Sequence, residues 1–187
     1  MTREQIIDYM KKIGVLKQGH FKLTSGLHSQ QYMQCAAVFE QPKHAGVLVS
    51  VLKEKLPTKV DTVVAPAIGG ICMGYELAAS LGCRSIFAER QNSEMTLRRG
   101  FQLKAGEKVL IAEDVVTTGG SVKEVLEIVK VAGCELIGVA CLVDRSNGKA
   151  DFGIPFYSLL EMEVATYQPE ACPLCQQGIG IDKPGSR

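Results

Sequence analysis

Short apolar runs rich in β-branched residues alternate with amphipathic segments along most of this chain, and this alternation limits the folds open to it. The predicted strands are 60–65, 84–88, 108–112, 136–143 and 152–160. The predicted helices among them are 42–56, 71–81 and 121–132. Strands that alternate with helices connect by right-handed crossovers into a parallel sheet. We therefore expect an α/β fold with a mainly parallel central sheet flanked by helices.

The ends of the chain are less regular. A further helix is predicted near the N-terminus, where apolar residues recur on one helical face and Thr2 and Gln5 fit a capping box. The stretch 19–28 indicates a loop or short strand, 89–105 is polar without periodicity, and the tail after Ala165 is irregular. A chain of 187 residues suffices for one substantial core, so we expect a single domain, 1–187.

The charge balance limits the partners. The 21 Lys and Arg residues nearly cancel the 20 Asp and Glu residues, for a net charge of +1. A protein that binds nucleic-acid backbones is usually strongly basic, so we expect no nucleic acid. No apolar run is long enough to span a bilayer and the first residues lack a signal-peptide core, so we expect no membrane and a cytoplasmic location. The cysteines are seven, an odd number, and five of them are scattered, which favours free thiols in a reducing compartment.

The most informative segment is 109–121, where an apolar strand runs into Glu113 and Asp114, then a small-residue loop, then a helix. Residues 117–121 can turn backbone N–H groups toward an anion, and the positive end of the following helix dipole supports the same ligand. Ser121 and Glu124 fit a capping box at the start of that helix. The segment predicts a phosphate-binding loop.

The two carboxylates require a different partner from the phosphate. Sugar hydroxyls and a metal-bound water shell are the two candidates, and a sugar phosphate satisfies both halves of the segment. The alternative is an ordinary strand–loop–helix connection whose acids face solvent. No GKS or GKT follows the glycines, and no G-x-G-x-x-G fingerprint is present, which excludes the P-loop and the Rossmann motif.

Residues 109–121 resemble the signature of type I phosphoribosyltransferases, which bind phosphoribosyl pyrophosphate. The resemblance implies their fold, with an N-terminal hood segment (1–40) that contributes to base binding, a tail (166–187) and a mobile loop. It implies that the acids hold the ribose hydroxyls, that the loop holds the 5-phosphate, and that Mg²⁺ travels with the pyrophosphate. The implied contacts to phosphoribosyl pyrophosphate are Glu113, Asp114, Val115, Val116, Thr117, Thr118, Gly119, Gly120, Ser121 and Arg90.

Two further segments concern the base. Residues 19–29 resemble the N-terminal orotate-contact segment of orotate phosphoribosyltransferases, and 142–145 match the end of a late strand whose arginine contacts the orotate carboxylate. The resemblance implies transfer of the phosphoribosyl group to orotate, which gives orotidine 5′-phosphate and pyrophosphate in pyrimidine (UMP) biosynthesis. The implied orotate contacts are Ser25, Gly26, Thr117 and Arg145. The guanidinium group of Arg145 suits this role, because it can bind a carboxylate through two hydrogen bonds. The alternative is that Arg145 is a surface residue paired with Asp144.

The chain departs from the family pattern at three places. Thr24 stands where many members carry a lysine, and Lys22 lies two residues earlier. The segment 68–70 is Ile-Gly-Gly where Tyr-Lys-Gly is common. Without the lysine side chain, backbone N–H groups must contribute more of the binding to the anion. The loop 89–100 is poor in lysine and lacks the usual histidine.

Three residues are candidates for catalysis. Asp114 is best placed to support positive charge on the ribose, while Arg98 and Arg99 are candidates for neutralising the leaving pyrophosphate. Leu97 beside them is predicted to be a packing residue. The resemblance implies a homodimer in which loop 90–100 is shared across the interface.

Two other functions remain open at this stage. A purine phosphoribosyltransferase would use the same loop and leave Arg145 idle, and a non-catalytic regulator would sense phosphoribosyl pyrophosphate without turnover. A regulator of that kind usually carries a nucleic-acid-binding segment, and no basic helix-turn-helix is apparent.

No metal site is predicted. His20, His28 and His44 show no metal-ligand spacing, and Cys172-x-x-Cys175 is a single pair, whereas a zinc site normally needs four protein ligands. We expect the two cysteines to be structural thiols, His28 to touch the base and His44 to be structural or exposed.

Overall fold

The computed structural model describes residues 1–23 and 25–184. The helices are α1 (Arg3–Lys12), α2 (Pro42–Lys53), α3 (Gly70–Leu81), α4 (Gly120–Val131) and α5 (Pro173–Gln176). The strands are β1 (Leu16–Lys22), β2 (His28–Met33), β3 (Thr62–Pro66), β4 (Arg84–Gln91), β5 (Glu94–Leu97), β6 (Lys108–Val116), β7 (Glu135–Asp144), β8 (Phe156–Glu161) and β9 (Thr166–Tyr167). Two short 3₁₀ helices cover Cys35–Glu40 and Pro169–Ala171.

The chain divides into two compact units. Among the described residues, those of 1–37 together with 163–184 form the terminal unit, and residues 38–162 form the central unit. The terminal unit thus combines most of the expected hood segment with the tail.

The central unit is built on a six-stranded sheet in the order β5-β4-β3-β6-β7-β8. Every neighbouring pair is parallel except β4 and β5. Helix α3 packs on the face that carries Val63 and Ala65, close enough that Gly74 leaves no room for a side chain. The opposite face, with Val64 and Ile111, joins α4 in one apolar cluster. This arrangement confirms the predicted mainly parallel sheet flanked by helices.

The start of α4 differs from the prediction. The helix buries one apolar face, formed by Val122, Val125, Leu126 and Val129, but it begins at Gly120 with Gly119 as the N-cap, and no side chain caps it. The predicted Ser121–Glu124 capping box was wrong, because the Glu124 carboxylate pairs with Arg90 at 2.6 Å instead. The first-turn N–H groups of α4 therefore have no side-chain acceptor from an N-cap residue.

The segment 89–105, predicted to be irregular, contains a β-hairpin. Strand β4 continues to Gln91 and pairs antiparallel with β5. The turn residues Asn92 and Ser93 have φ angles of 51° and 70°, the left-handed backbone that a two-residue hairpin turn requires. The hairpin was not predicted from the sequence, because its polar turn contains no glycine. Met95 and Leu97 pack against the α4 cluster, which confirms the packing role predicted for Leu97.

The terminal unit is a small antiparallel sheet in the order β1-β2-β9 with α1 beside it. The predicted capping box is confirmed, since Thr2 Oγ1 accepts from Gln5 N and Gln5 Oε1 accepts from Thr2 N. The stretch 19–28 forms strand ends and a turn, and the tail is not wholly irregular because it supplies β9 and α5. Within the described residues, no helix is long and apolar enough to cross a membrane.

Candidate active site

The predicted phosphate-binding loop follows directly from the end of β6. This strand runs to Val116, four residues further than predicted, so Glu113, Asp114 and Val115 are strand residues. Thr117, Thr118 and Gly120 are exposed immediately beyond it, at the uncapped start of α4. A helix N-terminus with open N–H groups and flanking hydroxyls favours a phosphate.

Gly119 fixes the shape of this loop. Its φ angle is 74°, in the left-handed region that favours glycine. A Cβ at this position would lie 2.8 Å from Phe152 Cε1, closer than real carbon contacts allow. The loop can therefore keep this path only with glycine at 119.

The acid pair lies against the turn that follows β3, the neighbour of β6 in the sheet. A Cβ at Gly69 would be 3.2 Å from Asp114 Oδ1, and one at Gly70 would be 2.9 Å from Glu113 Oε1. The predicted pyrophosphate turn, 68–70, and the predicted ribose-binding acids are thus brought together at the carboxyl ends of two parallel strands. This is the usual position of ligand sites in open α/β sheets.

The two acids differ in their environment. Asp114 Oδ1 accepts a hydrogen bond of 2.8 Å from Val115 N, and Glu113 Oε1 accepts one of 3.2 Å from Asp114 N. Burial, and then the neighbouring Asp114 charge, raise the pKa of Glu113 to about 8. Near neutral pH Glu113 is therefore mainly protonated. A protonated acid beside a carboxylate can both donate to and accept from sugar hydroxyls.

This raised pKa predicts that the free protein loses stability as pH rises from about 5 to about 8. The folded state keeps the Glu113 proton in this range while the unfolded chain releases it, so folding takes up a proton. The slope reaches at most about 1.4 kcal/mol per pH unit for one proton. Denaturant unfolding across this range should show the decline, and Glu113→Gln should flatten it. An equal slope in both proteins would contradict this assignment.

Arg145 lies beside the phosphate loop. Its backbone N donates a 2.8 Å hydrogen bond to the oxygen of Val116, the last residue of β6. The alternative pairing with Asp144 is not seen among the described residues, where Asp144 Oδ1 accepts a 2.8 Å hydrogen bond from Ser146 N. Arg145 Nε is buried without a hydrogen-bond partner there. A buried donor without a protein partner is available to an acceptor on a ligand.

Of the other predicted orotate contacts, Thr117 lies in the phosphate-binding loop of the central unit, and Ser25 and Gly26 belong to the terminal unit. Ser25 is exposed, and Gly26, with a φ angle of 86°, donates to Leu23 O in the turn between β1 and β2. Lys22 is exposed at the end of β1. Thr24, the departure from the family pattern, lies outside the described residues.

The predicted pyrophosphate-binding arginines are held by carboxylates of the central unit. Arg99 Nε lies 2.9 Å and Arg98 Nη1 lies 3.8 Å from Glu89 Oε1. The hydrogen bond from Arg99 lowers the pKa of Glu89. Arg90 pairs with Glu124 across to α4. All three arginines are exposed, and an exposed ion pair contributes about 0–1 kcal/mol to stability. Breaking these pairs so that the arginines can bind a polyanionic ligand therefore costs little free energy.

Residues 38–172 match the model of the phosphoribosyl transferase domain. The chain belongs to the phosphoribosyltransferase family. An orotate phosphoribosyltransferase of Desulforamulus reducens is 54% identical over 188 aligned positions, which cover 100% of this chain and 98% of that protein. An orotate phosphoribosyltransferase of Thermotoga maritima is 52% identical and covers 97% of this chain and 98% of that protein. These findings confirm the family that 109–121 and 19–29 predicted.

The fold of this phosphoribosyltransferase also agrees with solved structures. The crystal structure of orotate phosphoribosyltransferase from Aeropyrum pernix has a TM-score of 0.72 at 23% identity and covers 84% of this chain and 93% of that one. At this identity the likeness concerns the fold alone.

One group of residues in this phosphoribosyltransferase was missed by sequence reasoning. His20, His28, Cys172 and Cys175 lie together, with their ligand atoms all within 4.8 Å of one another. The two histidines come from neighbouring strands and the cysteines from the tail, so only Cys172-x-x-Cys175 was visible as a motif. His28, expected to touch the base, is buried in this group, while His44 is half-buried on α2.

Proposed function

We propose that this phosphoribosyltransferase transfers the phosphoribosyl group from phosphoribosyl pyrophosphate to orotate, as an orotate phosphoribosyltransferase. Relatives of that name are 50–54% identical over essentially the whole chain. Within the site, the buried and unpartnered Nε of Arg145 carries the proposal. It lies next to the phosphoribosyl loop and suits the carboxylate that distinguishes orotate from purine bases.

The loop 117–121 binds the 5-phosphate through the open N–H groups of α4 and the threonine hydroxyls. Glu113 and Asp114 bind the ribose hydroxyls, and the turn 68–70 beside them offers backbone N–H groups to the pyrophosphate. Mg²⁺ arrives as part of the substrate, bound to the pyrophosphate, and neutralises part of its charge. The acid pair fits a substrate with this cation, because carboxylate oxygens are the ligands that hard divalent cations prefer.

The reaction forms a bond between the orotate ring nitrogen and ribose C1 while the bond from C1 to the pyrophosphate oxygen breaks. The electron pair of the broken bond leaves with pyrophosphate, and the proton of the ring nitrogen passes to the departing pyrophosphate or to water. The ring nitrogen is itself the nucleophile, so no side chain must act as one. The ribose becomes cationic as the bond breaks, and the Asp114 carboxylate supports that charge. Arg98 and Arg99 exchange Glu89 for the departing pyrophosphate, so that catalysis consists of positioning and charge stabilisation.

The nearest alternative is a purine phosphoribosyltransferase, because the loop and the acids would serve either base. A base competition assay separates the two. With phosphoribosyl pyrophosphate and magnesium, we expect turnover of orotate and no measurable turnover of adenine or guanine. Turnover of a purine without orotate would refute the proposal, and binding of phosphoribosyl pyrophosphate without any turnover would indicate a sensing regulator.

Arg145→Ala is expected to raise the KM for orotate about 10- to 100-fold while changing the KM for phosphoribosyl pyrophosphate less than about threefold. Charge-assisted hydrogen bonds of this kind contribute about 1.5–3 kcal/mol. The backbone bond from Arg145 N to Val116 O survives the substitution, so the loop is preserved. Steady-state kinetics with each substrate varied in turn measure the two constants.

Arg145→Lys is the matched variant, because it keeps the positive charge but loses the planar guanidinium group with its two parallel N–H donors. It should recover only part of the affinity. Equal increases in both Michaelis constants would argue against an orotate contact.

We also propose that the functional unit is a cytoplasmic homodimer in which loop 90–100 is shared across the interface. The exposure of Arg98 and Arg99 supports such sharing, since both can reach an anion outside their own chain. All seven cysteines are free, which fits a reducing compartment.

A further inference from the structure

Four metal-ligating side chains converge in the terminal unit, outside the proposed active-site residues of the central unit. His20 comes from β1, His28 from β2, Cys172 from the position just before α5, and Cys175 from within α5. His20, His28 and Cys172 are buried and Cys175 is exposed. We propose that these four residues bind a structural Zn²⁺ ion through His20 Nε2, His28 Nδ1 and the two Sγ atoms.

The spacing of the four atoms matches the edges of a zinc tetrahedron. Zn–N bonds of about 2.0–2.1 Å and Zn–S bonds of about 2.3 Å place two nitrogens about 3.3 Å apart and a nitrogen and a sulfur about 3.6 Å apart. His20 Nε2 lies 3.1 Å from His28 Nδ1 and 3.5 Å and 3.7 Å from the sulfurs of Cys172 and Cys175. Cys175 Sγ lies 3.3 Å from His28 Nδ1. Each distance is within a few tenths of an ångström of the tetrahedral value.

The orientation of His20 also suits a metal ligand. Its Nδ1 lies 2.8 Å from the carbonyl oxygen of Ile179, so Nδ1 carries the proton and Nε2 presents a lone pair to the group. Metal-binding histidines usually donate their second ring nitrogen in this way, which fixes the ring and its tautomer. One lone pair can accept only one good hydrogen bond, whereas three neighbouring ligand atoms surround Nε2. A cation between them satisfies all four atoms together.

The tail needs such a cation, because it has almost no core of its own. In residues 163–184, Cys172 is the sole buried side chain. Helix α5 has four residues, and the hydrogen bonds that join this part of the tail to β1 are mainly those of Asp182 with His20 and Lys22. Small units without a sufficient apolar core commonly rely on a structural metal. A zinc ion would link β1 and β2 to a segment more than 140 residues later in the chain.

The donor set selects the metal. Two thiolates and two imidazoles favour a tetrahedral, borderline-soft cation, whereas Mg²⁺ prefers oxygen ligands. Four protein ligands leave no open position for water or substrate, so the site is structural. Two thiolates also neutralise the charge of Zn²⁺, which makes a largely buried site electrostatically acceptable.

The test is the metal content of the full-length, untagged protein purified from zinc-supplemented medium. We expect about one zinc per chain by elemental analysis. Protein reconstituted with Co²⁺ should show the visible d–d bands and the sulfur-to-cobalt charge-transfer band of tetrahedral coordination. Cys175→Ser changes an exposed residue and should retain the fold while zinc content falls at least about tenfold. Cys134→Ser, a half-exposed cysteine of the central unit, is the matched control and should keep its zinc.

A second measurement does not depend on any variant. Removing zinc from the wild-type protein with a chelator should lower its Tm, and added zinc should restore it. Absence of zinc and of tetrahedral cobalt spectra would overturn the proposal, as would equal zinc content in Cys175→Ser and wild type. A disulfide between Cys172 and Cys175 in metal-free native protein would overturn it as well. None of these measurements depends on the catalysed reaction.

Discussion

Asp114→Asn is expected to lower kcat by about 100- to 1,000-fold while the fold survives. Loss of one group that stabilises transition-state charge commonly has an effect of about this size. Asparagine keeps an oxygen that can accept from Val115 N, so the local structure at the end of β6 is retained. It removes the negative charge that supports a cationic ribose. Steady-state kinetics with orotate, together with thermal unfolding, measure both parts of the expectation.

Asp8→Asn is the control for this substitution. Asp8 is exposed on α1 and its ion pair with Lys11 contributes little, so kcat should stay within about twofold of wild type. An unchanged kcat in Asp114→Asn would contradict the role of this carboxylate. A loss that tracked a large drop in Tm would assign Asp114 a structural role instead.

Gly119→Ala is expected to destabilise the protein by about 2–4 kcal/mol and to weaken binding of phosphoribosyl pyrophosphate at least about tenfold. The φ angle of 74° strains any residue with a Cβ, and that Cβ would meet the Phe152 ring at 2.8 Å. The loop must shift to relieve this contact, and the shift moves the N–H groups at the start of α4. Denaturant unfolding and the KM for phosphoribosyl pyrophosphate measure the two effects.

Gly120→Ala is the matched control in the same loop. A Cβ at 120 meets only Thr118 Oγ1 at 3.7 Å, an ordinary contact, so the free energy of unfolding should change little. An equal loss of stability in the two variants would show that the backbone geometry at 119 is not the cause of the effect.

Local sequence patterns predicted the central unit well. Most of the predicted strands belong to a parallel sheet, whose strands are buried on both faces and therefore have continuous apolar sequences that are easy to recognise. The predicted helices flank this sheet and have a regular apolar periodicity. The segment 109–121 combined a strand end, two acids and a glycine loop, so its residues were neighbours in the chain as well as in space.

The missed features depend on contacts between distant parts of the chain. The hairpin of β4 and β5 contains a turn of Asn92 and Ser93, which gives a weaker signal than a glycine turn. Glu124, which the sequence predicted to cap α4, instead accepts a hydrogen bond from Arg90, a residue 34 positions earlier in the chain. The group of His20, His28, Cys172 and Cys175 forms only when the tail pairs with the first hairpin, and no local spacing records that pairing.

The most direct measurement of the proposed function is the spectrophotometric consumption of orotate by the purified protein with magnesium, with and without phosphoribosyl pyrophosphate. We predict consumption only when phosphoribosyl pyrophosphate is present, with one orotidine 5′-phosphate and one pyrophosphate formed per orotate used. Absence of orotate consumption by folded protein under these conditions would contradict the assignment of Arg145 and of the whole site to orotate phosphoribosyl transfer.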